Sequence, residues 1–193
     1  MKTKRGDNMK KLNLPILMAL VFLSVHQLSA LTVEYIGLER MTRESQIVVY
    51  GKVLSSYSIW EDKSIYTYTT IEIKELIKGE YKSQKIVVKQ MGGTVGYISQ
   101  VVDGTPKLEI GKEVVLFLRD WKGAFWIHSI VLGYFQVYEE NGKKYAVNSL
   151  NNVGLVDPST KKLITDVSKL ENRFELNTFI QSVKNFSSKV RRR

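Results

Sequence analysis

Cysteine is absent from all 193 residues, histidine occurs twice and proline three times. Without cysteine there is no disulfide framework, no lipidation site at a cleavage point, and no Cys-based nucleophile or metal ligand. One histidine, His26, lies in the first thirty residues, so His128 alone serves the rest of the chain. A single imidazole without thiols does not build the usual zinc site of three or four N, S or carboxylate ligands. No Gly-x-Ser-x-Gly elbow accompanies it. The adjacent carboxylates Glu61-Asp62 and Glu139-Glu140 fall at strand ends or turns, where solvated acids are expected. These absences point to a non-catalytic chain with no metal and no cofactor. A long apolar run is missing too. Residues 12–25 (LNLPILMALVFLSV) are too short for a spanning helix, which needs roughly 20 apolar residues.

What surrounds that run gives it another meaning. Lys2, Lys4, Arg5, Lys10 and Lys11 precede it against a single Asp7, and Leu28-Ser29-Ala30 follows it. A basic stretch, a short apolar stretch and a small-residue site in that order predict a secretory signal peptide cut near Ala30. Either Met1 or Met9 is its start. The expectation is an exported chain, periplasmic or extracellular, with no transmembrane segment after cleavage. Residues 1–30 are then the signal peptide, 31–187 one domain and 188–193 a basic tail.

Charge follows the same division. The whole chain carries +10, and removing the signal leaves 24 Lys and Arg against 18 Asp and Glu, a net +6. Five of those positives are Lys184, Lys189, Arg191, Arg192 and Arg193, so residues 31–183 are nearly neutral. A nucleic-acid binder carries a basic face on its folded body. None is expected here, and nucleic acid is not an expected partner.

The body alternates. Residues 46–57 set Ile47, Val49, Gly51 and Val53 on one face. Residues 65–77 set Ile65, Thr67, Thr69, Ile71 and Ile73 on one face. Period two with β-branched and aromatic enrichment predicts strands. Shorter strands are predicted at 85–90, 114–120, 124–130, 133–139 and 143–148, with Asn141-Gly142 as a hairpin turn. A short helix is predicted at 38–45. An amphipathic one runs from about residue 176, with Leu176, Phe179, Ile180, Val183 and Phe186 on one side. Long early strands with a central Gly51 favour a small closed or nearly closed barrel over a flat sandwich.

The run Ser45-Gln46-Ile47-Val48-Val49-Tyr50-Gly51-Lys52-Val53, then residues 66–73, 76–79, 90–93 and 111–118, resembles a group of uncharacterised bacterial exported proteins. The same strand pattern is similar to netrin-like domains, the class that includes tissue inhibitors of metalloproteases. The resemblance implies a mainly β fold: a small OB or netrin-like barrel of five to seven antiparallel strands. A short N-terminal helix and a C-terminal amphipathic helix flank it. The inhibitory chemistry does not carry over, because it uses an N-terminal cysteine that this chain lacks.

Binding is expected in the long glycine-containing connection at 92–111, since loops over a rigid scaffold carry recognition. Its Gly92-Gly93-Thr94-Val95-Gly96 is not a phosphate loop, lacking Gly-Lys-Ser/Thr and a following helix. Gln90, Gly92, Gly93, Gly96 and Tyr97 are the candidate ligand residues. Lys189, Arg191, Arg192 and Arg193 are the candidate polyanion contacts. The expected role is a binding or structural module acting through barrel loops on an unknown protein or envelope component, with the C-terminal helix as a lid. A protease-directed inhibitor or accessory protein and a weak polyanion or envelope-surface binder are the alternatives.

Overall fold

The two alternating stretches become two fifteen-residue strands, β2 (Ile47–Glu61) and β3 (Ser64–Lys78), turning at Asp62 and Lys63. They are the centre of a computed structural model that describes residues 32–150 and 153–190; residues 1–30, expected to be a signal peptide, and Arg191–Arg193 lie outside them. Before β2 come β1 (Thr32–Glu34) and helix α1 (Leu38–Glu44). After β3 follow β4 (Lys85–Met91), the small hairpin β5 (Gly93–Val95) and β6 (Ile98–Gln100), β7 (Glu113–Trp121) and β8 (Ala124–Ile127). A 3₁₀ turn then leads into β9 (Tyr134–Glu140) and β10 (Lys143–Val147). β11 (Gly154–Val156), β12 (Arg173–Glu175) and helix α2 (Leu176–Val190) complete the order.

The fold is mainly β. Eight strands form one sheet in the order β12-β10-β9-β7-β2-β3-β4-β8, and β7 also pairs with β8. Following β7, β2, β3, β4 and β8 therefore returns to β7, and the sheet partly closes on itself. The β4–β8 contact is parallel and consists of one pair, Val88 with Phe125.

Local chemistry makes this curvature possible. Along β2 the register with β3 shifts between Val48 and Val49, Tyr50 and Gly51, and Val53 and Ser55. Such bulges bend a strand and sharpen its twist. At Gly51 a Cβ would lie 2.4 Å from the Glu72 carbonyl oxygen, so only glycine allows β3 to pass there.

The first part of β2, Ile47 to Val49, and Val114 to Leu118 of β7 are dry on both faces. Ile47, Val49, Val114, Leu116 and Leu118 face an inner core with Ile71, Ile86 and Val88. Val48, Val115 and Phe117 face a second core built with Met41, Phe135, Phe179 and Val183. α2 lies on that second side. Its Phe179 ring packs 4.7 Å from Phe135 and 4.9 Å from Phe174, centroid to centroid. At about 25 cal/mol per Å² of apolar area removed from water, this layer is a major stabilising element. Lys78 fixes α1 by donating to the carbonyls of Thr42 (2.6 Å) and Ser45 (2.6 Å) at its C-terminal end.

Candidate functional site

After β4 the chain makes a turn that only glycine accommodates. Gly92 (φ +90°) and Gly93 (φ +135°) occupy backbone conformations that L side chains rarely adopt. Gly92 donates to the Ile65 carbonyl at 2.8 Å, and Thr67 Oγ1 donates to the Gly92 carbonyl at 2.7 Å. The β5–β6 hairpin is thereby laid across the inner face of the β2–β3 ribbon. Gln100 Oε1 accepts from the Ile65 amide at 2.7 Å and secures its return. Residues 101–112 then cross without regular structure. Gln90 Nε2 donates to the Pro106 carbonyl at 3.0 Å, and Leu108 is buried in the inner core. Gly111 donates to the Val53 carbonyl at 2.8 Å, where the segment rejoins β2.

Between this crossing and the ribbon lies a cleft of about 650 Å³. Its floor carries Ser56, Thr67, Thr69 and Gln90, and its walls carry Met91, Gly92, Gly93 and residues 99–102 and 105–110. Hydroxyls, amides and apolar groups dominate; Lys107 and Glu109 are the charged residues that line it. Met91, Val101 and Ile110 are exposed beside it. The cleft offers neutral hydrogen-bonding groups beside apolar surface, which suits an uncharged ligand.

Three of the residues chosen from the sequence, Gln90, Gly92 and Gly93, line this cleft. Gly96 and Tyr97 stand away from it at the tip of the β5–β6 hairpin, with Tyr97 fully exposed. Sequence reading missed Ser56, Thr67 and Thr69. For Thr67 and Thr69 the signal was there, since they alternate with Ile71 on one face of β3; Ser56 joins that face only through the bulge after Val53.

The other face of the ribbon is aromatic. Lys89 Nζ lies 4.2 Å from the Tyr66 ring centroid, 5.2 Å from Tyr68 and 5.7 Å from Trp126. It is paired with Glu61 at 2.5 Å, which also accepts from the Tyr68 hydroxyl. Burial lowers the Lys89 pKa, but Glu61 and Tyr68 outweigh it and the ammonium is held above its ordinary value. The cage is thus filled by the chain's own cation. Tyr57 stacks on Tyr68 at 5.5 Å and is itself exposed.

His128 is buried, with Glu44 Oε2 3.3 Å from Nε2 and Ser129 Oγ 3.3 Å from Nδ1. By residue type this resembles a catalytic line. Both contacts are long, however, and Arg40 already holds Glu44 at 2.7 Å. Burial lowers the imidazole's pKa, and the nearby Arg119 adds to that. The arrangement ties the end of α1 to the strand end at β8. Among the described residues no three His, Asp or Glu gather as metal ligands, and no helix there is long and apolar enough to cross a membrane.

α2 contributes no residue to the cleft; it packs on the opposite core, so it is not a lid over the 92–110 segment. Of the basic residues singled out, Lys189 sits in the last turn of α2 near Phe186, and Arg191, Arg192 and Arg193 lie outside the described residues. No protein-family model and no curated protein matches this chain.

Proposed function

We propose that this chain is an exported, non-enzymatic binding module, an OB or netrin-like barrel whose cleft at residues 90–110 holds an uncharged ligand. The circuit of β7, β2, β3, β4 and β8, with antiparallel neighbours and one parallel contact, supports the barrel reading. The charged, apolar and small-residue sequence of residues 1–30 supports export.

One observation carries the function: a roomy cleft, neutral and partly apolar, built on a rigid ribbon and walled by a long glycine-hinged segment. Such a segment over a rigid scaffold is suited to recognition. The test is an amide-resolved NMR titration with a panel of neutral oligosaccharides and capped uncharged peptides. The expected result is shifts confined to residues 90–110 and to Ser56, Thr67 and Thr69. A panel that moves none of these signals removes the reading. Export is checked separately, by recovery of a chain beginning at Leu31 from the exported fraction.

The protease-directed alternative rests on a different observation, the projecting hairpin that presents Tyr97 and Ile98 to solvent. Its test is inhibition of secreted proteases by the purified protein. Inhibition that persists after Tyr97→Ala dismisses it.

A further inference from the structure

Among the described residues, no strand pairs with one edge of β2 over its second half. β7 accompanies β2 only as far as the pair Lys52 and Glu113. Residues 111 and 112 extend that ladder by one position: Val53 donates to the Lys112 carbonyl at 2.9 Å and accepts from the Gly111 amide at 2.8 Å. There the neighbouring chain turns away, with the Lys112 amide on the Glu109 carbonyl at 3.1 Å. β3 meanwhile stays on the other edge to the pair Glu61 and Ser64.

The bulge at Leu54 decides which groups this edge presents. Val53 directs its amide and carbonyl away from β3. Leu54 has no partner in β3, so the alternation moves by one residue. Beyond it, Ser56, Ser58 and Trp60 direct their backbone groups away from β3. The side chains agree. Ser56 meets Thr69 at 3.1 Å and Ser58 meets Thr67 at 2.9 Å, oxygen to oxygen. Such close approach belongs to the non-hydrogen-bonded pairs of an antiparallel ladder. Among the described residues, no strand pairs with this edge at 56–60.

Natural sheets protect open edges with lysine, proline or burial. Residues 55–60 read Ser-Ser-Tyr-Ser-Ile-Trp, without charge or proline, and Ser55, Ser56, Tyr57, Ile59 and Trp60 are exposed. The cleft reaches the same place, for Ser56 lines it together with Glu109 and Ile110.

We propose that this edge binds an extended, uncharged peptide segment of a partner protein as an added strand, with alternate side chains entering the cleft. The inference rests on the cleft-binding reading above and names its ligand. Ser56, Ser58 and Trp60 supply the main-chain hydrogen bonds, as in other strand additions. On the outer face the incoming side chains meet Tyr57 and Ile59. On the inner face they meet the serine hydroxyls and the cleft. A second copy of this chain fits less well. A two-fold antiparallel pairing keeps the same face of both strands on one side, so residues 92–110 of each copy would confront those of the other.

The probe is a displayed library of N-acetylated, C-amidated nonapeptides of uncharged residues, screened against the purified protein. The best binder is then N-methylated one position at a time. Methylation at every second position weakens binding about tenfold, the equivalent of one lost hydrogen bond, and the intervening positions change it by less than about twofold. Ser56→Pro removes an edge amide that β3 does not use and weakens binding by a similar factor. Should Ser56→Pro fail to fold, the methylation pattern on the unaltered protein still decides. Absence of any binder, or a methylation profile without alternation, overturns the proposal. So does a concentration-dependent dimer, seen by sedimentation, that Ser56→Pro abolishes. Peptides that fail while a neutral oligosaccharide still shifts residues 90–110 would remove the peptide and leave the cleft reading intact.

Discussion

Ser58 Oγ lies 2.9 Å from Thr67 Oγ1, and the direction of that hydrogen bond is settled by a third group. Thr67 gives its only hydroxyl proton to the Gly92 carbonyl, so Ser58 must donate to Thr67. The relay runs from one strand of the ribbon through the other into the segment that walls the cleft. It also fills the space beside Gly93, where a Cβ would lie 2.3 Å from Thr67 Oγ1 and 2.4 Å from Ser58 Oγ.

Gly93→Ala therefore combines a clash with a forbidden backbone angle and costs on the order of 2–3 kcal/mol, read by chemical denaturation. Gly96→Ala is the control. Its φ is +61° with open space around it, so the cost is about 1 kcal/mol.

Glu113 predicts an acid limb. Burial raises its pKa, but donors from Lys144, Lys74 and Tyr50 outweigh this and hold the carboxyl at about 2, below its ordinary 4.5. A carboxylate depressed on folding contributes stability above its unfolded pKa and loses it as pH falls through the folded one. Stability should thus decline between pH 4.5 and about 2, by about 2 kcal/mol from this group. Glu113→Gln flattens that part of the pH profile in urea titrations, and an unchanged slope would dismiss the assignment.

Phe179→Ala opens the middle of the aromatic cluster between α2 and the sheet. Phe179 is 1% exposed and touches Phe117, Phe135 and Phe174. A loss of about 3–5 kcal/mol is expected in thermal or chemical unfolding.

Lys78→Met removes the ammonium that caps α1. Burial already lowers the Lys78 pKa, and its contacts are all carbonyls. The substitution leaves those carbonyls without their donor and costs about 2 kcal/mol. Hydrogen exchange over residues 38–45 should accelerate.

Strand alternation made β2, β3, β4 and β7 legible because each is long enough for period two to repeat, and α2 was legible from its apolar stripe. The ends were read less well. β2 runs past residue 57 to Glu61 and the turn at Asp62, although the serines at 55, 56 and 58 interrupt its apolar alternation. β1, β5, β6, β11 and β12 have three residues each, too short for any period. Leu150, Val153 and Leu155 stand among polar residues in the sequence, yet all three are buried in the second core. Their partners lie far away in the chain, and local pattern holds no trace of them. Glycine signalled the cleft at Gly92 and Gly93. Ser56 joins Thr67 and Thr69 on its floor only through a bulge whose position no single residue announces.

That bulge at Leu54 also divides the domain by tolerance to change. Before it, at Ile47 to Val49, β2 separates two cores, and a polar substitution on either face meets a dry environment. Beyond it, the ribbon of residues 55–70 is only partly buried, with Ile65 and Thr69 its fully packed positions. Exposed positions such as Tyr57 and Ile59 are free to vary while the scaffold stays constant. Descendants of one ancestral fold could therefore acquire different partners by drift within a single hairpin, without renegotiating how the protein folds.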